Sequence, residues 1–201
     1  MPPTNPARRQ ALTDAAIELL ASSGAHGLTH RTVEQKAGLP QGTASNYFRS
    51  REALLVAAAE RIAELTHADT DRATDQPAAL ADLLTESLLT AATTLRARYL
   101  AIFELQLESS RRPVLAAALA GLQDTALRIT AGHHDKLGLA IPRENIPALI
   151  MLYGGALFTL VTAPPELLSR DLVQSMVQGM VQGIVYGCAP PGAARAGAGD
   201  W

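Results

Sequence analysis

One cysteine, Cys188, is all that the 201 residues contain, so no internal disulfide framework can form and a reducing cytoplasm is the default compartment. The first ten residues, MPPTNPARRQ, lack the apolar core of a secretory signal. Aromatic residues make up only 4% of the chain while hydrophobic residues make up 48%, carried mostly by Ala and Leu, which favours helices over strands. Also missing are a nucleophile beside a base, carboxylates paired in an apolar setting, a Gly-rich phosphate loop and zinc-ligand spacing. Glu104 and Glu108 share a helix face, but that spacing reads as a solvated face. His67 and Asp71 lie four apart without further ligands, and the adjacent His133 and His134 diverge on a helix. No enzyme, no cofactor and no metal site is therefore expected. Excess charge of one sign is absent too, since the net charge is −2. That figure hides an asymmetry: residues 1–51 carry six basic and three acidic side chains, the remainder 11 and 16. A basic end on an acidic body suits a molecule that presents one end to phosphates.

The most informative stretch is LTHRTVEQKAGLPQGTASNYFRSREALL, residues 28–55. Thr29 can cap a short helix over 31–37, and Gly38 ends it where a left-handed residue is needed. Leu39 plugs the turn. Pro40 suits the first position of a second helix, over 42–48, because its missing N–H would be unpaired there. Ser50 caps a third helix, with Glu52 in its first turn. Two short helices joined by a Gly-containing turn make a helix-turn-helix, whose second helix enters the major groove in DNA-binding versions. Gln41, Thr43 and Asn46 can read bases or reach phosphates, Gly42 permits close backbone approach, and Tyr47 and Arg51 can hold phosphates, with Thr29, Arg31 and Ser45 completing the candidate DNA-binding set. A plain helical hairpin with a polar face remains the alternative from these residues alone.

With the preceding segment RRQALTDAAIELLASSGAHGLT, the stretch resembles the DNA-binding domain of the TetR (tetracycline-repressor-like) transcriptional regulators. The matching landmarks are Leu12, Ala15, Ala16, Leu20, Gly24, Thr29, Val33, Ala37, Gly38, Leu39, Gly42, Thr43, Tyr47, Phe48, Ser50 and Leu54. Ala44 and Ser45 stand where the family usually has Leu and Tyr, Glu34 replaces a small apolar residue, and Arg51 replaces Lys. The resemblance implies an all-α chain of about nine helices: a helix-turn-helix DNA-binding domain over 1–51, a helical effector-binding and dimerisation domain over 52–189, and a tail over 190–201. The Pro/Gly/Ala-rich tail and the Pro-rich first six residues are expected to be disordered.

Beyond the motif, the first long helix should pack Leu12, Ala15, Ala16, Leu19 and Leu20 on Val33, Ala37, Phe48 and Leu55, making a small three-helix core. Further helices are expected from residue 51 to about 71, 77–93, 94–110 and 114–137. The segment 146–163, IPALIMLYGGALFTLVTA, carries no charge and reaches the lower bound of a membrane span. Pro147, Gly154-Gly155 and the lack of a flanking Lys/Arg cluster argue for a buried helix instead, so no membrane partner is expected. Glu166 is read as the start of the last helix, reaching about residue 187, where Gly179, Gly183 and Gly187 recur every fourth residue. Glycine costs about 1 kcal/mol in a helix interior, which is tolerable where another helix approaches closely. Leu152, Leu157, Met176, Gly179, Met180, Gly183 and Ile184 are the expected self-association face; the alternative is an internal core.

These features together describe a homodimeric regulator, cytoplasmic and on the nucleoid when bound to double-stranded DNA, that represses from a palindromic operator. One helix-turn-helix reads too little sequence to be specific, whereas a two-fold dimer reads two half-sites. The resemblance also implies an unknown small-molecule effector, with Tyr99, Phe103, Gln106, Met151, Tyr153 and Phe158 as pocket candidates of mostly apolar character. A DNA-binding dimer without an effector and an all-helical enzyme are the competing readings.

Overall fold

The computed structural model describes residues 5–72, 80–120 and 145–185, and every regular element among them is helical. Up to residue 72 and again from 91 to 120 these residues form one compact unit; residues 80–90 and 145–185 form another.

In the first unit, α1 (Pro6–Gly27) starts from Asn5, whose side chain accepts from the amides of Ala7 and Arg8 at 3.0 and 3.3 Å. The element is interrupted at Gly24, whose φ of 65° and ψ of −178° leave the helical region. Next come α2 (His30–Lys36), α3 (Thr43–Tyr47) and α4 (Arg51–Arg72). Thr29 and Thr32 form a reciprocal capping box at the start of α2, and Ser50 Oγ accepts from the Ala53 amide at 3.1 Å to open α4. Pro40 does not begin a helix. It lies in the turn, and α3 starts three residues later behind Gly42, whose φ of 87° makes it a left-handed cap without a side chain.

The apolar face of α1 meets Val33, Ala44, Phe48, Leu54, Leu55, Ala58 and Ile62. This core continues beyond the three helices of the motif. Ala101 and Leu105 of α6 (Arg96–Ser109), with Leu115 and Leu119 of the helical run 113–120, here α7, belong to the same buried cluster. Charged pairs flank it: Arg61 donates to Asp14 at 2.8 Å and to Glu64 at 3.1 Å, and Arg98 to Asp69 at 2.5 Å.

Glu104 and Glu108 of α6 depart from the solvated face expected of them. The Glu104 carboxylate accepts from the Ala25 amide at 3.0 Å, against the break in α1. Glu108 is only 8% exposed and is gripped by Arg112 at 2.9 Å and Arg111 at 3.3 Å. Their hydrogen bonds, chiefly that of Arg112, hold its carboxyl below the ordinary value of 4.5. A carboxylate with a depressed folded pKa stabilises above its unfolded value and loses that contribution as pH falls through the folded one. Glu108→Gln is therefore expected to be less stable than the parent chain at neutral pH in urea denaturation. The gap should close as pH drops below about 4.5; a gap that stays constant down to strongly acidic pH contradicts the ion-pair assignment.

In the second unit, α5 (Leu80–Ala92) contributes residues 80–90, joined by α8 (Ile146–Thr162) and α9 (Arg170–Val185). The last helix begins four residues later than expected, because Pro165–Leu167 forms a 3-10 turn and Ser169 provides the cap, accepting from the Leu172 amide at 3.2 Å. Leu149, Leu157, Leu160 and Val161 of α8 are buried, as are Val173, Val177, Met180 and Val181 of α9, and the two helices pack together. Asn145 donates to the Ile184 carbonyl at 3.0 Å, and Arg170 pairs with Glu86 at 2.5 Å. No helix among the described residues is long and apolar enough to cross a membrane.

Candidate nucleic-acid interface

The helix-turn-helix leaves α3 with one buried and one open side. Ala44 and the following Phe48 point into the core, while Ser45 and Asn46 are exposed and Gln41 is exposed in the turn before them. Neither Gln41 nor Asn46 has a side-chain hydrogen bond within the described residues, so both amides keep donors and acceptors for a base edge. Two hydroxyls are already engaged: Thr43 Oγ1 donates to the Pro40 carbonyl at 2.6 Å and Ser45 Oγ to that of Gly42 at 2.9 Å. In this arrangement what they offer outward is lone pairs. The Tyr47 hydroxyl is tied to Asn5, accepting from its amide at 3.1 Å and donating to its carbonyl at 3.3 Å. Thr29 is exposed but serves as the α2 cap.

The cations divide in the same way. Arg31, Arg8 and Arg49 are exposed and carry no ion pair within the described residues. Lys36 pairs with Glu18 at 2.7 Å, and Arg9 pairs with Glu60 at 3.3 Å while stacking over the Phe48 ring, 5.7 Å from its centroid. Arg51, expected at a phosphate, turns inward: its Nε donates to the Leu28 carbonyl at 3.1 Å and its Nη2 to that of Ala25. Arg49, which the sequence reading passed over, is the outward cation of the two. The signal was available, since Ser50 caps α4 and leaves Arg49 in the non-helical turn, where its side chain has no helix surface to lie on.

The pocket candidates fall into separate units. Tyr99 and Phe103 on α6 are half-buried and Gln106 is exposed; burial, the larger effect, raises the Tyr99 phenol above its ordinary value, while Arg98 pulls it down. In the other unit Tyr153 shares a 2.7 Å hydrogen bond with Ser87, whereas Met151 and Phe158 are 77% and 50% exposed. The self-association candidates also split. Leu152, at 52%, Gly179 and Gly183 are exposed, Met176 and Ile184 are half-buried, and Leu157 and Met180 are buried within the single chain. The side chains of His67 and Asp71, together with His133, His134, Cys188, Gly187 and the tail, lie outside what is described.

Comparison with known proteins decides what this assembly is. Residues 12–58 match the family described as bacterial regulatory proteins, tetR family, and residues 75–183, more than half of the chain, match the tetracyclin repressor-like C-terminal domain. The chain belongs to the TetR family. It is thus a DNA-binding transcriptional regulator. Among solved structures, it is similar to the multidrug binding protein EbrR complexed with ethidium, at 26% identity over 86% of this chain and 98% of that one, with a TM-score of 0.64. A TetR-family member from Streptomyces coelicolor is 27% identical over 87% and 98% of the two chains, with a TM-score of 0.67. GusR of Salmonella enterica, 19% identical over 92% and 98% with a TM-score of 0.69, shares the fold. None of the curated proteins compared matches the chain.

Proposed function

We propose that this TetR-family regulator is a homodimeric repressor that occupies a palindromic operator and leaves it when a small hydrophobic ligand binds. The observation that carries the reading is the outward side of α3 and its turn. There the uncommitted amides of Gln41 and Asn46 lie in the motif that Arg31 and Arg49 supply with open cations. Base-edge readers beside phosphate-seeking arginines are what sequence-specific duplex binding requires. Self-association is supported by α8 and α9, where exposed apolar side chains accompany glycines whose missing Cβ would meet nothing among the described residues. An effector is supported by the ethidium and proflavin complexes of EbrR, 26% and 27% identical to this chain. Within the first unit the half-buried Tyr99 and Phe103 are aromatic side chains that such a ligand can use, while Met151 and Phe158 of the second unit suit the self-association face better.

Selection of bound sequences from random DNA by the purified full-length protein tests the reading. Enrichment of one near-palindrome, released on adding ethidium or another planar hydrophobic compound, is the expected result. No enrichment at near-physiological salt, with or without such compounds, overturns it. A variant pair separates the two arginines. Arg49→Ala is expected to weaken binding to every duplex and to lower the salt slope by about one. Arg51→Ala should instead lower the melting temperature, because it frees two carbonyls at the end of α1, and leave the salt slope of the folded fraction unchanged.

A further inference from the structure

Two departures from the family's pattern, ten residues apart in sequence, meet in space. Glu34 stands where a small apolar residue is usual and Ala44 where Leu is usual, and Glu34 Oε1 accepts from the Ala44 amide at 2.7 Å. Both residues are buried, Glu34 to 4% exposure. A five-residue helix cannot hold itself together, because nucleation fixes several residues for each hydrogen bond formed. The local sequence of α3 does not cap it either. Gly42 has no side chain, and the hydroxyls of Thr43 and Ser45 are turned to carbonyls of the turn. At the other end of α3, His30 Nε2 lies 2.8 Å from the Phe48 carbonyl, to which it can only donate. His30 and Glu34 are four apart on α2 and so share a face.

We infer that His30 and Glu34 form a two-ended clamp in which α2 sets the conformation and angle of α3, with Glu34 as the positioning residue at the N-terminal end. The polarity suits the helix: an acceptor carboxylate meets the free amide at its start, and a donor meets the free carbonyl at its end. One consequence concerns readout. With the Ala44 amide spent on a buried carboxylate and the Thr43 amide on the Pro40 carbonyl, these two amides are not open to a phosphate, which leaves readout to the side chains of α3. This inference rests on the reading of α3 as the DNA-contacting helix, but the clamp itself can be tested on the protein alone.

The test is amide hydrogen exchange on the full chain, free of DNA, followed by affinity for the enriched operator. In the parent chain the Ala44 amide should be protected. Glu34→Ala should raise its exchange rate by about tenfold or more, the scale of a lost helix cap, with residues 45–47 following while the amides of α1 and α4 hold. Glu34→Gln keeps an acceptor of the same shape and should restore most of the protection, which also guards against Glu34→Ala failing to fold. Operator affinity should fall in Glu34→Ala and recover in Glu34→Gln, with an unchanged salt slope, because no phosphate contact is removed. An Ala44 amide exchanging like an open amide in the parent chain, or equally protected in Glu34→Ala, overturns the clamp. If the parent chain prefers no DNA sequence, the reading of α3 fails while exchange at Ala44 still judges the clamp.

Discussion

A chain carrying Met151→Glu and Phe158→Glu is expected to sediment as a monomer and to lose at least about a hundredfold in affinity for its operator, the range by which linking two binding modules exceeds one. The two side chains are seven apart on α8, within a fraction of a turn of each other, with Gly155 between them and Leu152 beside them. All are exposed, and a methyl group added at Gly154 or Gly155 would touch nothing among the described residues. On α9, Leu172, Met176, Gly179 and Gly183 follow the same helical stripe, and the last two also face open space. Four interior glycines in two helices cost roughly 1 kcal/mol each against alanine, and no packing among the described residues requires them. Close approach of a second copy, as proposed, would account for them. Two carboxylates on that face would have to be desolvated without partners, a penalty of several kcal/mol per ion that a dimer of ordinary size cannot absorb. Gly179→Ala sharpens the test. It should raise the helical stability of an isolated protomer yet weaken association, because the Cβ holds the helices apart. Variants that remain dimeric, or monomers that bind the operator undiminished, would rule this face out as the interface.

How much of this was legible in advance follows from what each signal measures. Helical spacing of Leu12, Ala16 and Leu20, the Thr29 and Ser50 caps and the left-handed Gly38 are local properties, and the structure has helices and caps where they were expected. Pro40 and Glu166 misled because each is compatible with a helix start without requiring one. A left-handed glycine after the first and a 3-10 turn around the second placed the real starts further on. Spacing shows that Glu104 and Glu108 share a face but not what covers that face; α1 and the arginines after α6 do. A helix as apolar all round as α8 offers no period from which to tell inward from outward, so Met151 and Phe158 were assigned to a pocket although they face away from their own unit's core. Arg51 reads as a phosphate-holding cation beside the motif, yet its guanidinium is consumed by backbone carbonyls, a commitment made across 23 residues that no local pattern records.

Gly24→Ala should be the most damaging small substitution in the first unit, lowering stability by about 3 kcal/mol and the melting temperature by roughly 5–10 °C. Its φ of 65° with ψ of −178° lies in a region open essentially to glycine alone, at a cost of about 1–3 kcal/mol for any other residue. The added Cβ would also stand 3.2 Å from Glu104 Oε2, the atom that accepts from the Ala25 amide. A charged acceptor on a backbone donor contributes about 1.5–3 kcal/mol, so displacing it adds to the strain. The carbonyl of the same residue matters as much, because the Ala25 carbonyl accepts from Arg51 at the start of α4. The break in α1 is thus held by a carboxylate from α6 and a guanidinium from α4, and α2 with its clamp on α3 follows directly from it. Glu104→Gln keeps an acceptor and should cost little, whereas Glu104→Ala releases one side of the break. That variant is expected to bind the operator more weakly with an unchanged salt slope, since it alters how the reading helix is presented and removes no phosphate contact. A Gly24→Ala chain that melts with the parent would show that the break is not under strain. Glu104→Ala with parental affinity would show that α6 does not help to hold the DNA-reading end in place.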